Sequence, residues 1–164
     1  MPARMDWMDL DFPTGPGTYG LIFYRPGGRR IAVGKLGQFE FPAGYYLYVG
    51  SALGPGGLAG RLQRHMRADK RTHWHVDYLS AQADVVEIWI TTGEERLEHL
   101  WAAAAGQLPG AAKPAAGFGA SDCRCPAHLY HFGARPEGKV FQQLLEEQGA
   151  AGRPVKVMLI AGQN

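Results

Sequence analysis

A strand, a glycine-rich loop and a basic helix follow one another within residues 45–71, and this order constrains the fold more than any other feature of the chain. Aromatic and β-branched side chains at 45–49 predict the strand. Five glycines in residues 50–60 allow the backbone of the loop to approach a ligand closely. Apolar side chains at every fourth position from Leu58 to Met66 then predict a helix with one buried face.

Tyr48, near the end of the predicted strand, is followed by Arg61 and His65, which are four positions apart on the predicted helix. These residue types suit phosphodiester hydrolysis, because tyrosine or histidine can accept a proton from water and arginine can stabilise charge on phosphate oxygens. The alternative is structural, with Tyr48 in the core, Arg61 in solvent and His65 a packed imidazole. Spacing alone favours the structural interpretation, since these residue types are common and no metal-ligand spacing accompanies them.

Apolar segments at 19–24, 31–33 and 45–49, separated by turn residues, predict an antiparallel meander of three strands. An alternating segment at 85–91 predicts a further strand. We therefore expect the α/β (α+β) class, with a small, mainly antiparallel sheet of three to four strands flanked by helices. The 164 residues, 46% of them hydrophobic, are enough for one core and predict a single domain.

Helical periodicity predicts one helix at 58–68, and Thr92 with Glu95 predicts a capping box for another helix that ends near Leu108. Glu98 lies at the border of the buried stripe of this second helix. A carboxylate there is expected to project into a cleft beside the sheet.

Positive charge is concentrated after the glycine-rich loop. The net charge of +2 and the pI of about 8.6 are too mild to indicate a nucleic-acid-binding protein by themselves. Eleven residues nevertheless carry five cations against one acid, Asp69, and such a cluster would neutralise several phosphates. The cations are Arg61, Arg64, Arg67, Lys70 and Arg71. The alternative is a solvated basic face that contacts nothing.

Residues 17–19, GTY, and 48–50, YVG, resemble the two half-motifs that name the GIY-YIG nuclease superfamily. After the second half-motif, that family has an arginine on a helix and a histidine or tyrosine four residues later, matched here by Arg61 and His65. It also has a metal-binding glutamate on a later helix, best matched by Glu98. The tyrosines of the two half-motifs are farther apart here than in the family's usual tight hairpin, which predicts an insertion between them.

The chain resembles most closely an uncharacterised branch of this superfamily, found alone or fused to DNA glycosylases of the endonuclease III type. The resemblance lies in three tracts: FPAGYYLYVGSALGPGGLAGRLQRH, HWHVDYL and GFGASDCRCPAHL. It implies a GIY-YIG-like domain at 15–133. Prolines and little periodicity in residues 1–14 predict an N-terminal arm that drapes over the core. Residues 134–164 are then expected to form a C-terminal extension of one helix and one strand.

The resemblance implies a metal-dependent endonuclease acting on DNA, in repair or recombination. In that mechanism Tyr48 is the general base or its relay, and Tyr19 and His65 position water or proton. Arg61 stabilises charge on the phosphate, and Glu98 binds one Mg²⁺ or Mn²⁺. With the resemblance, the further nucleic-acid contacts are expected at Gly50, Ser51, Arg64, Arg67, Lys70, Arg71 and His73.

Two alternatives stay open. The family's late asparagine has no clear counterpart, and this together with the spacing of the half-motifs predicts a catalytically inactive nucleic-acid-binding module instead. A structural or protein-interaction domain is the second alternative, favoured if the N-terminal arm or the C-terminal tail covers the basic helix. RNA is a further candidate partner beside DNA.

His73, His75 and Asp77 alternate along the HWHVDYL tract. If this tract is extended, the three share one face and suggest a metal site; if it is helical, His73 and Asp77 are four apart and His75 points elsewhere. We favour packing and DNA-facing roles, with Asp77 orienting one of the histidines.

A second tract, CRCPAHLYHF, offers two thiols and two imidazoles that are able to bind zinc. The four residues are Cys123, Cys125, His128 and His131. The single residue between the cysteines is shorter than the usual gap of structural zinc sites, so zinc is the less favoured interpretation. The same spacing is too short for an ordinary disulfide and indicates a reducing compartment. No apolar run is long enough to span a membrane and no signal core is visible, so we expect a cytoplasmic protein.

Overall fold

The computed structural model of the chain describes residues 6–121, 123–149 and 153–160. These residues form a five-stranded antiparallel sheet, a separate two-stranded hairpin and four α-helices. The strands are β1 Gly17–Arg25, β2 Arg29–Val33, β3 Gly37–Phe41, β4 Gly44–Ala52, β5 Asp84–Thr92, β6 Leu129–Phe132 and β7 Lys156–Leu159. The helices are α1 Gly57–Met66, α2 His75–Ser80, α3 Glu98–Gln107 and α4 Gly138–Glu147. None of the helices in the described residues is long and apolar enough to cross a membrane.

The five-stranded sheet has the order β6-β4-β1-β5-β7, and β1 lies at its centre. The first seven residues of β1 are buried, and they are apolar or small on both faces of the strand. A strand with two apolar faces needs a layer of structure on each side of the sheet. Here α1 and α2 pack with the hairpin on one face, and α3 and α4 pack on the other.

Alternation along the central strands sends their side chains to two separate cores. Leu21 and Phe23 of β1 pack on the face of α1, whereas Ile22 packs on the face of α3 and α4. In β4, Tyr48 packs on the face of α1 and Leu47 packs on the face of α3 and α4. The strand periodicity therefore decides which tyrosines face the helix that carries the predicted site.

The predicted class, a mixed domain with a mainly antiparallel sheet between helices, is confirmed. The main sheet has five strands where three to four were expected, and the predicted meander, in which the first strand pairs with the second, is wrong. Strand β1 pairs with β4 and β5, not with β2. The reason is burial: β2 has only Ile31 and Val33 buried, on one face, so it is suited to a peripheral hairpin, whereas the two-faced β1 and β4 belong inside a sheet. The hairpin of β2 and β3 thus lies between β1 and β4 in the sequence but outside the main sheet.

The predicted capping box of Thr92 and Glu95 is also wrong. Thr92 ends β5, where it pairs with Gly17, and α3 begins only at Glu98. Pairing in the central sheet therefore overrides the local capping signal. As a result, Glu98 lies in the first turn of its helix.

The described parts of the N-terminal arm and of the C-terminal extension belong to the same fold. In the N-terminal arm Phe12 is buried, and the carbonyls of Pro13 and Gly15 accept hydrogen bonds from the amides of Ala59 and Leu58 at the start of α1. These bonds satisfy amides that a helix leaves unpaired at its first turn. Residues 1–5 of the predicted arm lie outside the described residues. The predicted C-terminal extension supplies α4, which buries Phe141 and Leu145, and β7 at the sheet edge. Residues 150–152 and 161–164 of that extension lie outside the described residues.

Candidate active site

A cleft of about 570 Å³ opens where the glycine-rich loop leaves the sheet. Side chains from β1, β4, α1 and α3 reach it, together with the segments before α2 and after Phe118. Its lining includes Tyr19, Tyr48, Gly50, Ser51, Leu53, Gly54, Arg61, His73, Trp74, His75, Arg96, Glu98, Gly119 and Ser121. The cleft therefore combines two phenols, two guanidiniums and one carboxylate from elements far apart in the sequence.

Tyr19 and His65 form a buried hydrogen-bonded pair beneath this cleft. The Tyr19 hydroxyl lies 2.6 Å from Nε2 of His65. Tyr19 is 1% exposed and His65 is 3% exposed. Gly50 makes room for the pair, because a Cβ atom at this position would lie 2.5 Å from the Tyr19 hydroxyl oxygen. The glycine of the second half-motif is thus required by the tyrosine of the first.

His65 is held in its neutral form. Burial lowers its pKa to about 3, although Asp77 opposes the change. Among the described residues, Nδ1 of His65 has no hydrogen-bond partner. An unpaired buried N–H is less tolerable than an unpaired acceptor, which favours the tautomer with the proton on Nε2. In that tautomer Nε2–H donates to the Tyr19 oxygen, and the hydrogen of Tyr19 is left to point into the cleft.

Tyr48 presents a partly accessible phenol in the same cleft, with 8% of the residue exposed. Its ring packs edge-on against Phe118 and His65, at centroid separations of 6.3 Å in both cases. Burial raises the pKa of Tyr48 well above its ordinary value, with further contributions from Tyr19 and Glu98, while Arg61 lowers it. Burial likewise raises the pKa of Tyr19, again against Arg61. Both phenols are therefore protonated near neutral pH, and Arg61 is the cation that favours their ionisation.

Arg61 is positioned by the end of β4 and by an aromatic ring. Its Nη1 donates to the backbone carbonyl of Ser51 at 3.1 Å, and its guanidinium carbon lies 4.5 Å from the centroid of Trp74. These contacts use one N–H and one face of the guanidinium. The remaining donors are suited to bind an anion in the cleft.

Glu98 is the one carboxylate among the described residues that line the cleft. Its Oε2 accepts a hydrogen bond from the Ser51 hydroxyl at 3.2 Å, and its Oε1 lies 3.2 Å from Nδ1 of His128. The second contact has an ion-pair distance but does not meet the geometry of a hydrogen bond. Burial by itself would raise the pKa of Glu98, but the contacts to His128 and Ser51 outweigh it and hold the pKa below its usual value. Glu98 is therefore ionised at neutral pH.

The structure brings together most of the residues that the sequence predicts for catalysis. Tyr19, Tyr48, Arg61 and Glu98 all line the cleft, and His65 lies behind them in contact with Tyr19. Among the predicted nucleic-acid contacts, the cleft is lined by Gly50, Ser51 and His73. The four remaining cations, Arg64, Arg67, Lys70 and Arg71, lie outside its lining.

Two of these cations have structural partners. Arg64 binds both carboxylate oxygens of Asp77, at 3.1 and 2.9 Å, and also packs on Trp74 at 4.0 Å. Lys70 donates to the carbonyls of His65 and Arg67 at the end of α1. Arg67 and Lys70 line a second cavity of about 360 Å³, into which His65 also projects. Arg67 and Arg71 are exposed.

The HWHVDYL tract is helical at its end, so the extended, one-faced metal interpretation is wrong. Asp77 lies in the first turn of α2, where its carboxylate accepts hydrogen bonds from the amides of His73 and Trp74. Asp77 therefore orients the backbone before the helix, not an imidazole ring. His75 instead accepts a hydrogen bond from the amide of Gly119 at 2.8 Å and anchors the loop above the cleft.

Three residues of the site were not predicted from the sequence. Trp74 stacks on two arginines, Arg96 lines the cleft, and His128 contacts Glu98. The only signal for His128 was its place in a cysteine- and histidine-rich tract. Trp74 and Arg96 carry no spacing that distinguishes them from core or surface residues.

Comparison with known families gives one match. The model of a family described as a domain of unknown function, DUF123, matches residues 18–150. That segment contains the whole cleft from Tyr19 to Ser121, and also α4. No curated protein and no solved structure matches the chain.

Proposed function

The chain belongs to the DUF123 family, and we propose that it is a metal-dependent endonuclease-like domain of GIY-YIG type, which hydrolyses phosphodiester bonds in DNA. One observation carries the proposal: Tyr19, Tyr48, Arg61 and Glu98 line a single polar cleft although they come from four separate elements. Phenol, guanidinium and carboxylate are the groups that such a hydrolysis needs for proton transfer, charge stabilisation and metal binding.

In this proposal Arg61 binds the scissile phosphate. Its contacts to Ser51 and Trp74 fix the guanidinium before substrate arrives, so its free N–H groups need little rearrangement to meet phosphate oxygens. A fixed donor stabilises the charge that develops on those oxygens more than it stabilises the ground state. Arg61 also lowers the pKa of Tyr48, so it assists proton transfer as well as charge stabilisation.

Tyr48 acts as the general base or proton relay, and Tyr19 with His65 orients it and the attacking water. Because burial keeps both phenols protonated, Tyr48 serves best as a relay whose oxygen accepts a proton from the attacking water while its own proton passes to a phosphate oxygen of the substrate. Neutral His65 fixes the direction of the Tyr19 hydroxyl through the 2.6 Å contact. The pair therefore supplies orientation, not a charge.

Glu98 would hold the Mg²⁺ or Mn²⁺ ion. The residues fit such an ion, because Mg²⁺ is commonly bound through one or two carboxylates together with water and substrate phosphates. The low pKa of Glu98 and its position in the cleft suit that use. When bound there, the ion would lower the pKa of a bound water and offset charge on the leaving oxygen.

Two other functions are favoured by specific observations. The raised pKa values of Tyr19 and Tyr48 suit a nucleic-acid-binding module without cleavage. The N-terminal arm lies along α1 near Gln63 and Arg67, which suits a protein-interaction domain whose basic helix is partly covered.

A plasmid-nicking assay with Mg²⁺ or Mn²⁺, run beside a gel shift with the same DNA, distinguishes the endonuclease, the binding module and the interaction domain. We expect metal-dependent nicking that is lost in Glu98→Gln. The matched control is Glu95→Gln, because Glu95 is an exposed acid that pairs with Arg153 just before α3. A gel shift without nicking would support the binding module. The absence of both nicking and DNA binding would support the interaction domain.

A further inference from the structure

Four metal-binding side chains lie together behind Glu98. His99, Cys123, Cys125 and His128 each offer one ligand atom, and these four atoms all lie within 4.8 Å of one another. The contact between Cys123 Sγ and His128 Nε2 is 3.3 Å. His131, which the sequence had suggested as the fourth ligand, lies instead in β6, where its Nε2 contacts the carbonyl of Ala43 at 2.9 Å.

Two thiols and two imidazoles are the ligand set of many structural zinc sites. Tetrahedral zinc with ordinary Zn–S and Zn–N bonds places its ligand atoms roughly 3.3–3.8 Å apart. The ligand atoms therefore lie within about 1.5 Å of the separations that a bound ion requires. The short Cys-x-Cys spacing is no obstacle here, because the other two ligands come from α3 and from the residue that precedes β6.

The loop around the cluster is fixed in part by backbone hydrogen bonds and by the bond from the Gly119 amide to His75. Between α3 and β6, the described residues 108–121 and 123–128 contain neither helix nor strand apart from one bridge between Ala112 and His131, and Phe118 is fully buried. Irregular segments of this length are uncommon in compact domains and are often functional. A metal ion bound by Cys123 and Cys125 would join the loop to His99 on α3 and His128 before β6.

We propose that His99, Cys123, Cys125 and His128 bind one Zn²⁺ ion, and that zinc-bound His128 holds Glu98 in position for the cleft. Nε2 of His128 faces Cys123, and its Nδ1 lies 3.2 Å from Glu98 Oε1. A histidine that binds zinc through one nitrogen commonly donates its other N–H to a carboxylate, which fixes the tautomer and the ring. The other oxygen of Glu98 then stays with Ser51.

The zinc site itself is independent of the nuclease proposal, whereas its effect on Glu98 in catalysis rests on that proposal. The first experiment measures zinc by elemental analysis in the full chain, purified without chelators, and then replaces the zinc with Co²⁺. We expect one zinc per chain and the visible absorption of tetrahedral Co²⁺ with thiolate charge transfer. Less than half an equivalent of zinc after incubation with the metal, and no such spectrum, would overturn the site.

Variants identify the ligands. Cys125→Ser and His99→Ala should each lose bound zinc, whereas Arg124→Ala and His131→Ala, changes in the same tract outside the cluster, should keep it. His99 is exposed, so its replacement is expected to leave the fold intact even if a cysteine variant fails to fold. His99→Cys is the sharpest test, because it should add thiolate-to-cobalt charge transfer. An unchanged Co²⁺ spectrum in His99→Cys would exclude this residue as a ligand.

The proposed contact between zinc-bound His128 and Glu98 is tested by a separate measurement. Loss of a carboxylate that orients a zinc-bound histidine typically lowers zinc affinity by about 10–100-fold. Competition with a chelator should therefore show weaker zinc binding in Glu98→Gln and no change in Glu95→Gln. Equal affinities would overturn the link. A zinc-loaded protein that does not nick DNA would refute the nuclease proposal alone, and a nicking protein without zinc would refute the zinc site alone.

Discussion

Two buried histidines, His65 and His128, lie behind different parts of the cleft, and their surroundings differ. His65 belongs to a tyrosine side, which we define as Tyr19, Tyr48 and His65. It is carried by a regular helix and contacts a phenol. His128 belongs to a carboxylate side, which we define as Ser51, Glu98 and His128, and it lies between a thiol and a carboxylate at the end of a long loop.

The comparison shows how one residue type serves two purposes. On the tyrosine side, burial lowers the pKa of His65 although Asp77 opposes the change, so the imidazole is a neutral, fixed partner. On the carboxylate side, the two ring nitrogens of His128 face two groups that both suit a metal environment. Rigidity therefore comes from packing on one side and, in our proposal, from a metal ion on the other.

A large expected loss of cleavage tests whether the tyrosine side is chemical or only structural. Tyr48→Phe removes one oxygen and keeps the ring in the sheet, so cleavage should fall by the ~10²–10⁴-fold typical of a lost general acid or base. Stability should barely change. Single-turnover nicking measures the rate, and Tyr24→Phe, on an exposed tyrosine of β1, is the control. Cleavage at the parental rate by folded Tyr48→Phe would show that Tyr48 is only a core aromatic.

Arg61 joins the two sides, since it contacts Ser51, which in turn contacts Glu98. Arg61→Ala should abolish cleavage and also raise the Kd for DNA by about 10-fold or more, because a charged hydrogen bond contributes ~1.5–3 kcal/mol. Fluorescence anisotropy with labelled duplex measures the Kd. Arg30→Ala removes an arginine that pairs with Glu40 on the exposed hairpin and should leave the Kd unchanged. Equal affinities for parent and Arg61→Ala would remove Arg61 from the phosphate site.

The packing of the tyrosine side is tested at Gly50. A methyl group there would lie against the Tyr19 hydroxyl, so Gly50→Ala should destabilise the fold by about 1–3 kcal/mol, the usual cost of overpacking. Urea unfolding measures the change. Gly54→Ala lies in the same loop, where a Cβ would have no atom within 4 Å, and should have little effect. Equal stability of Gly50→Ala and Gly54→Ala would contradict the prediction and show that the Tyr19 side chain can move away from position 50.

The neutral state of His65 predicts a pH dependence of stability. The unfolded chain protonates this histidine near its ordinary pKa of 6.5, whereas the folded chain does so only near 3. The unfolded state therefore binds more protons between these values, and stability falls as pH falls. Between neutral pH and pH 5 the loss should be about 2 kcal/mol. Urea unfolding of the parent and of His65→Gln at both pH values isolates this contribution; equal pH slopes would contradict it.

The smallest expected effect concerns exposed arginines that belong to neither the tyrosine side nor the carboxylate side. Arg67 and Arg71 lie outside the cleft, so replacing both with Ala should weaken DNA binding for all sequences without changing the cleavage step. The dependence of log Kd on log salt should flatten by up to about two phosphate contacts. An unchanged slope would reject this surface as a path for DNA.

The tyrosine side was largely predictable from the sequence, because it depends on short regular patterns. Strand alternation places Tyr48, and the four-residue spacing of a helix places Arg61 beside His65. The strand pairing was not predictable in the same way. The segments 31–33 and 45–49 both read as apolar strands, and only the number of faces that each buries decides which one pairs with β1.

The carboxylate side was predictable only in part. Glu98 was expected on the correct helix, but the start of that helix depends on how far β5 pairs with β1, which is a tertiary property. The cluster of His99 with Cys123, Cys125 and His128 depends on the path of a loop without periodicity. A sequence shows that such ligands exist, but it does not show which of them meet.

The order of the strands also affects how the chain avoids self-association. The two edges of the main sheet are formed by β6 and β7, each of only four residues, whereas their neighbours β4 and β5 have nine. Short edges offer few unpaired backbone groups to another molecule. Because β7 is the last strand in the described chain, a protein cut before Lys156 would leave the apolar β5 uncovered along one side. Such a truncated chain is expected to aggregate by strand pairing, so the last strand protects solubility although it contributes nothing to the cleft.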